Sequence, residues 1–366
     1  MKITKKSNGK YTTRIKVKID GEWKERRLTD SDKDNLIYRV GKMRKAYKNN
    51  DITAEEKKWR MGEFYTLVID TFKTEKVSDS TIDLYRLAYE QFIDYFGDIF
   101  ISSIDRIKYQ QFINHLGKDY SLSTVDTRHR KMRALFNFAV DLKYMKENPA
   151  KGAVMAGVDV SKDKVMFMES DKVNLMLIEL RKEYSVVNAV MMLALNAGLR
   201  FEEVIALTKK DIDFKNRIVH VTKAYDYKYT HTFIDTKNKK PRKVFLDSLT
   251  NDYLKQYVNW HDQYSKGTVN KHDFLFNLKG KSRPVTNGTV NNAIKAMCKL
   301  IESDEITMHR LRHTHTGLCV EAGMDIIYVS ERLGHENINT TLKYYSHLSK
   351  QLRENNQAKV DNFFAS

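Results

Sequence analysis

The first proline in this chain of 366 residues is Pro149. An interior proline costs a helix about 3 kcal/mol, so the segment before it can run through long helices without a forced break. Apolar spacing shows where it does. In "STIDLYRLAYEQFIDYFG" (80–97) apolar residues stand at 82, 84, 85, 88, 89, 92, 93 and 96, with Ser80 placed as an N-cap and Gly97 as the stop. "STVDTRHRKMRALFNFAVDLKYM" (123–145) is a second amphipathic helix with Arg128, Arg130, Lys131 and Arg133 near its start. Residues 64–150 therefore form a bundle of about four helices, and "ENPAKGAVMAGV" (147–158) supplies the proline and glycines of a domain boundary.

The flanks differ. Residues 10–19, "KYTTRIKVKI", alternate with period two, Asp20–Gly21 is a hairpin signal, and "EWKERRL" is a return strand before a helix from about Asp30 to Lys48. Residues 51–63 carry mixed charge and suit a linker helix. Beyond Val165 the pattern is mixed: a helix over 184–197 stopped by Gly198, three strands in "NRIVHVTKA", "HTFIDTK" and "RKVFLD", then helices. The expected fold is multidomain α+β: a small N-terminal sheet-plus-helix domain (1–55), a helical domain (64–150), and a mixed, mainly α domain with a small antiparallel sheet (165–366).

Charge narrows the function. The net charge is +17, and residues 1–50 hold 16 lysines and arginines against 6 acids, so most of the excess sits at the N-terminus. Such an excess points to a polyanion, and nucleic acid is the commonest. The two cysteines, Cys298 and Cys319, speak against a disulfide framework or a four-ligand zinc site and suit buried thiols of a reducing compartment. The longest apolar run, "VVNAVMMLALNAGL", is broken by Asn188 and Asn196, so a cytoplasmic protein without a membrane span is expected.

"MHRLRHTH" (308–315) packs three histidines and two arginines into two helical turns after Thr307, a helix start, with a stop at Gly323. His309, Arg312 and His313 share one face. A zinc-peptidase site would need a glutamate where Arg310 stands, and an arginine beside the ligands would repel a metal. An anion site and a solvated basic face with a buried His313 remain. Three other segments favour the anion site. "NAGLRFEEVIAL" sets Arg200 after a glycine turn, with Glu203 one turn on to orient it. "DTKNKKPRKVFLD" sets Lys237 at a hairpin tip, and "ERLGHENINTTLKYYSHL" presents His335 and then Tyr344 and Tyr345. Guanidinium forks, a lysine, histidines and a tyrosine are the parts for phosphodiester chemistry without a metal.

Taken in order, "AGLRFEEVIAL", "TKNKKPRKVFL", "HRLRHTHTGL" and "LGHENINTTLKYYSHL" resemble the four signature blocks of the tyrosine recombinases, nearest to the integrases of phages and integrative elements of low-GC Gram-positive bacteria. The resemblance is strong over 165–350. It is weaker over 64–150, where it implies a core-binding domain, and over 1–55, where it implies an arm-type DNA-binding domain. It implies the catalytic set Arg200, Lys237 (Lys239 and Lys240 lie close by), His309, Arg312, His335 and the nucleophile Tyr345, with Tyr344 as the competing register and His313 as structural support. No cofactor and no metal are implied.

The implied reaction is attack of Tyr345 on a DNA phosphodiester to give a 3′-phosphotyrosine and a free 5′-hydroxyl, with exchange through a Holliday junction. The implied partners are double-stranded DNA at core and arm-type sites, a homo-tetramer on synapsed DNA, and accessory DNA-bending or excision proteins. A polar tail ending on Val360, Phe363 and Phe364 is expected to dock on a neighbouring protomer. Two rivals share parts of this reading: a type IB topoisomerase-like enzyme that relaxes DNA, and a DNA-binding regulator without catalysis. The separate basic N-terminus and the "LGH" block argue against the first, the complete set of reacting groups against the second.

Overall fold

The computed structural model describes residues 3–6, 9–19, 22–48, 59–160, 167–237 and 240–345. The chain divides into two compact units, Met1–Lys162 and Asp163–Ser366. Architecture matches the expected class, small N-terminal sheet and mainly helical body included.

In the first unit, β1 (Ile3–Lys5), β2 (Tyr11–Ile19) and β3 (Glu22–Asp30) form an antiparallel sheet in that order. Asp20–Gly21 lie outside the described residues, but Ile19 pairs with Glu22, the register of a two-residue hairpin. Ile15, on one face of β2, is buried, as are Leu36 and Val40 of α1 (Lys33–Lys48), which packs on the sheet. The expected linker helix falls mostly outside the described residues, and the helical segment opens with α2 (Met61–Val68). A π-turn over Ile69–Lys73, α3 (Asp79–Phe96), α4 (Arg106–Asp119) and α5 (Leu122–Asp141) complete the four-helix pattern. Their shared core is aromatic: Phe64, Phe92, Tyr109, Phe112 and Phe136 are fully buried.

The cap of α3 is Ser78 rather than Ser80. Ser78 has the extended backbone of a cap, and its hydroxyl bonds those of Ser80 and Thr81.

The second unit is built around α7 (Val186–Ala197), buried on nearly every side, and against which α6 (Ser170–Arg181), α9 (Ser248–Tyr264), α10 (Asn287–Leu300) and α11 (Met308–Glu321) pack. A helix apolar all round can only be a core element. The short α8 (Phe201–Val204) leads to β4 (Ile212–Asp213), β5 (Ile218–Val221), β6 (Ala224–Tyr225), β7 (Phe233–Ile234) and β8 (Arg242–Phe245). β4, β5 and β8 make one antiparallel sheet, and β6 pairs only with β7. α12 (Ile326–Leu333) and α13 (Asn339–Tyr345) follow, and α13 packs on α11 and α12.

This register corrects the expectation that Lys237 tips a hairpin. Tyr225 pairs with Phe233, so the tip is 226–232. Asp226 closes it: its N–H donates to Thr232 O (3.0 Å), and its carboxylate accepts the N–H groups of Lys228, Tyr229 and Thr230. Asp supplies such turns through its own side chain and needs no glycine beside it. Lys237 lies on the return path, between Ile234, which pairs with Ala224, and Arg242, which pairs with Val221. The C-terminal tail, with Val360, Phe363 and Phe364, lies outside the described residues.

Candidate active site

The site begins at the end of α7. Gly198 caps that helix in the left-handed region (φ 66°), and a Cβ there would lie 2.5 Å from His315 Cδ2 and 2.8 Å from Leu333 Cδ2. Only glycine satisfies both the angle and the space. Two residues later Arg200 takes an extended conformation at the start of α8, and Glu203, three positions on, turns back to accept the Arg200 N–H on Oε2 at 2.9 Å. Glu203 Oε1 accepts from the Arg200 guanidinium at 3.0 Å. The expected orienting role of Glu203 thus has a geometry, and Glu203 has a second partner. From β8, Arg242 grips the same carboxylate with both arms, 2.9 Å to Oε1 and 2.7 Å to Oε2.

Three guanidiniums also meet the last carbonyls of α12. Arg242 Nε donates to Arg332 O (2.9 Å), Arg312 to Leu333 O (2.6 Å) and Arg200 to Gly334 O (3.2 Å). The final carbonyls of a helix lack intrahelical donors and carry its negative dipole end, which makes them natural acceptors for cations. Arg312, only 3% exposed, also donates to Gly198 O (2.6 Å), tying α11 to the end of α7. Gly334 turns the chain with φ 64°, and His335 follows with Nδ1 2.8 Å from the buried Thr341 hydroxyl.

The result is a cleft of about 330 Å³ whose lining includes Arg200, Lys240, Arg242 and His335. A larger cavity of about 610 Å³ lies beside Arg106 and Tyr144 in the first unit, but it contains none of the motif residues, and we place the chemistry in the smaller cleft. Cations dominate the local field. Burial by itself would raise the Glu203 pKa, but the hydrogen bonds and charge of Arg242, then the charges of Arg312 and Arg200, hold it down to about 2. Burial, then Arg312, Arg200 and Arg242, depresses His335 to about 4. His309 is lowered by burial and by Arg312, Arg310, Arg200 and Lys237. At neutral pH His335 is therefore uncharged, and a strongly cationic pocket with one buried carboxylate invites an anion.

Of the six residues expected to react, Arg200, His309, Arg312 and His335 converge here from distant segments. Lys237 is exposed on the β7–β8 return, near enough for its charge to act on His309. Tyr344 and Tyr345 are the last two residues of α13. His313 is not the buried histidine of the octet. It is half-exposed, its ring edge-on to His309 at 4.3 Å, and burial followed by His309, Arg310 and Arg312 lowers it to about 3. The support is His315, which is buried, pairs Nδ1 with Leu195 O (2.8 Å), and receives Arg332 Nε on Nε2 (3.1 Å). Two positions along the helix decide it: 315 faces α7, whereas 313 shares the face of 309 and 312.

Sequence reasoning missed His315, Arg242 and Arg332. Arg332 spends its other nitrogens on Phe245 O (2.8 Å) and Asn196 O (3.0 Å). For Arg242 the available signal was an arginine at the start of an apolar strand, "RKVFL", where burial demands a carboxylate partner.

The phage integrase family model matches residues 166–351, and the phage integrase SAM-like domain matches 61–156. The chain is 24% identical over 375 residues to the ICEBs1 integrase of Bacillus subtilis, covering 99% of each. It is 27% identical over 241 residues to the transposase of transposon Tn916 from Enterococcus faecalis, covering 62% of this chain and 59% of that one. Among solved structures, the Tn1549 transposon integrase in complex with a circular intermediate DNA has the same fold, with a TM-score of 0.70 at 21% identity over 82% of this chain and 99% of the other.

Proposed function

This chain belongs to the phage integrase family, the tyrosine recombinases, and from that premise we propose how its own residues cut and rejoin DNA. It is a site-specific recombinase for the integration and excision of a mobile element, in line with relatives named as an integrase and as transposon transposases. The observation that carries the residue assignment is the convergence of Arg200 and Arg312, from segments more than a hundred residues apart, on one carbonyl, Leu333 O, beside the carboxylate of Glu203.

Arg200 and Arg312 bind the non-bridging oxygens of the scissile phosphate and stabilise the charge that builds there in the pentavalent transition state. His335, with Nδ1 accepting from the Thr341 hydroxyl, carries its hydrogen on Nε2 and donates it to the same phosphate. His309, neutral because of burial and its cationic neighbours, takes the proton of the Tyr345 hydroxyl. Tyr345 Oη then bonds to phosphorus as the bond to the 5′-oxygen breaks, and Lys237 gives that oxygen a proton. The products are a 3′-phosphotyrosine and a free 5′-hydroxyl, and a 5′-hydroxyl from the exchanged strand reverses the step. The phosphodiester energy is kept in the covalent intermediate, so no nucleotide cofactor is needed.

The finer organisation belongs to the same proposal. Residues 1–55 engage arm-type DNA sites, 64–150 the core site, and 165–366 carry catalysis, with four copies on two synapsed core sites and accessory bending or excision proteins assisting in the cytoplasm. A nicked duplex carrying the recombination site tests the chemistry, because loss of the short 5′ fragment traps the covalent complex. Wild type is expected to trap, Tyr345→Phe to bind without trapping, and Tyr344→Phe to trap. If only Tyr344→Phe fails, the nucleophile is one residue earlier.

A further inference from the structure

Glu203 is 1% exposed, and each of its oxygens holds two donors: Oε1 the guanidiniums of Arg200 and Arg242, Oε2 the Arg200 N–H and Arg242. Arg242 is also deeply placed, with a side chain 10% exposed, and Nε committed to Arg332 O. It packs against the backbone that turns into His335, for a Cβ on Gly334 would stand 3.1 Å from Arg242 Nη1. Its fork is thus spent on the protein, while the Arg200 side chain is nearly twice as exposed at 19%. We propose that Arg242 is a positioning residue for strand cleavage: it holds Glu203 in place and ionised, so that Glu203 aims Arg200, and it fixes the end of α12 that presents His335.

This inference rests on the role proposed above for Arg200 as a phosphate ligand. The bidentate fork of Arg242 fixes the orientation of the Glu203 carboxylate as well as its charge, and that carboxylate in turn receives one guanidinium nitrogen of Arg200. The groups facing Glu203 are Arg200 at the start of α8, Arg312 on α11, His335 after α12, and Arg242 on β8. Arg242 supplies the largest share of what keeps Glu203 charged. Without it the carboxyl pKa rises, and a protonated Glu203 no longer pulls on Arg200.

The test uses the full-length protein and single-turnover cleavage of the nicked duplex at saturating DNA, with affinity measured separately. Arg242→Gln is expected to bind within about twofold of wild type but to cleave about ten- to a hundredfold more slowly, the scale of a misplaced catalytic group. Its loss of rate on acidification from pH 7 to 5 should also be steeper than that of wild type, where only His309 titrates toward its charged form. Arg242→Lys should abolish that extra acid loss and recover part of the rate. On a Glu203→Gln background, Arg242→Gln should cost almost nothing further, because the two act as one unit. Should Arg242→Gln fail to fold, the same cycle with Arg242→Lys applies, whose point charge cannot span both oxygens.

Equal losses of binding and cleavage would make Arg242 an ordinary phosphate anchor and overturn the proposal. Additive effects with Glu203→Gln, or wild-type rates in every Arg242 variant, would overturn it as well. Those results leave the trapping test at Tyr345 untouched, so failure here and failure of the assigned chemistry are separately visible.

Discussion

Replacing Glu203 by glutamine keeps the shape of the side chain and removes its charge. Whichever way the amide lies, its NH2 end faces two donors: the Arg200 N–H and Arg242, or the guanidiniums of Arg200 and Arg242. Breaking a buried ion pair by removing one partner costs about 3–5 kcal/mol. The pKa gives an independent figure. A carboxyl moved from 4.5 to about 2 contributes about 3 kcal/mol at neutral pH, at 1.36 kcal/mol per unit. For a unit of this size that is a fall in Tm of about 6–12 °C. Because the folded pKa is the lower one, this stability is complete above about pH 4.5 and is lost as pH falls toward 2. Urea unfolding of the unit containing Glu203, wild type against Glu203→Gln, should therefore show a gap of about 3 kcal/mol at pH 6 that narrows to about half by pH 3. A gap that keeps its size between pH 6 and pH 3, or no gap, would refute the reasoning.

Arg200→Ala and Arg312→Ala should each reduce cleavage by about 10²–10³ with much smaller losses in DNA affinity, measured by trapping and by mobility shift. Cleavage should survive excess EDTA, and abolition by the chelator would return a metal to the site. His315, lowered to about 3 by burial and then Arg332, binds its proton more weakly folded than unfolded, so stability falls as pH drops below about 6.5. His315→Gln should flatten that loss by about 1.4 kcal/mol per pH unit in urea titrations between pH 6 and 4. Deleting residues 1–55 should leave core-site cleavage intact while abolishing binding to a second, flanking site and productive integration; full recombination by the truncated protein would reduce the basic segment to a nonspecific aid.

What the sequence made legible, and what it hid, follows one physical division. Period-two alternation in "KYTTRIKVKI", the 3.6-residue pattern of 80–97 and the wholly apolar 186–197 each decide an element by local spacing, and those elements are present. Arg200, His309, Arg312 and His335 were legible because each sits in a short block whose chemistry is carried by neighbours in sequence. Two features depended on a partner far along the chain. Arg242 shows itself only once β8 has brought it to Glu203, 39 positions away, and His315 only once α11 has packed on Leu195 O, 120 positions away. Lys237 was misplaced because a hairpin tip is set by which turn closes best, and Asp226 closed one that the flanking lysines did not advertise.

The same division explains why the residues hidden from the sequence are ones we propose to hold rather than to react. A group that binds phosphate needs a defined chemical type, which leaves a mark in sequence. A group that aims it needs only a complementary charge at the correct distance, and any strand or helix that delivers one will serve. In this fold β8 delivers Arg242, and α12 delivers Arg332 together with the carbonyls that receive Arg200, Arg242 and Arg312. The helix end thus accepts the guanidiniums and leads directly into His335, the next residue after Gly334. Shortening α12 or displacing its last turn would therefore unseat three guanidiniums and the histidine together. For that reason a substitution such as Gly334→Ala, which strains φ 64° and crowds Arg242, should abolish cleavage more completely than loss of His335 alone. Trapping assays on Gly334→Ala and His335→Ala at equal protein stability check this, and equal or greater activity in Gly334→Ala would show that the helix end carries only His335.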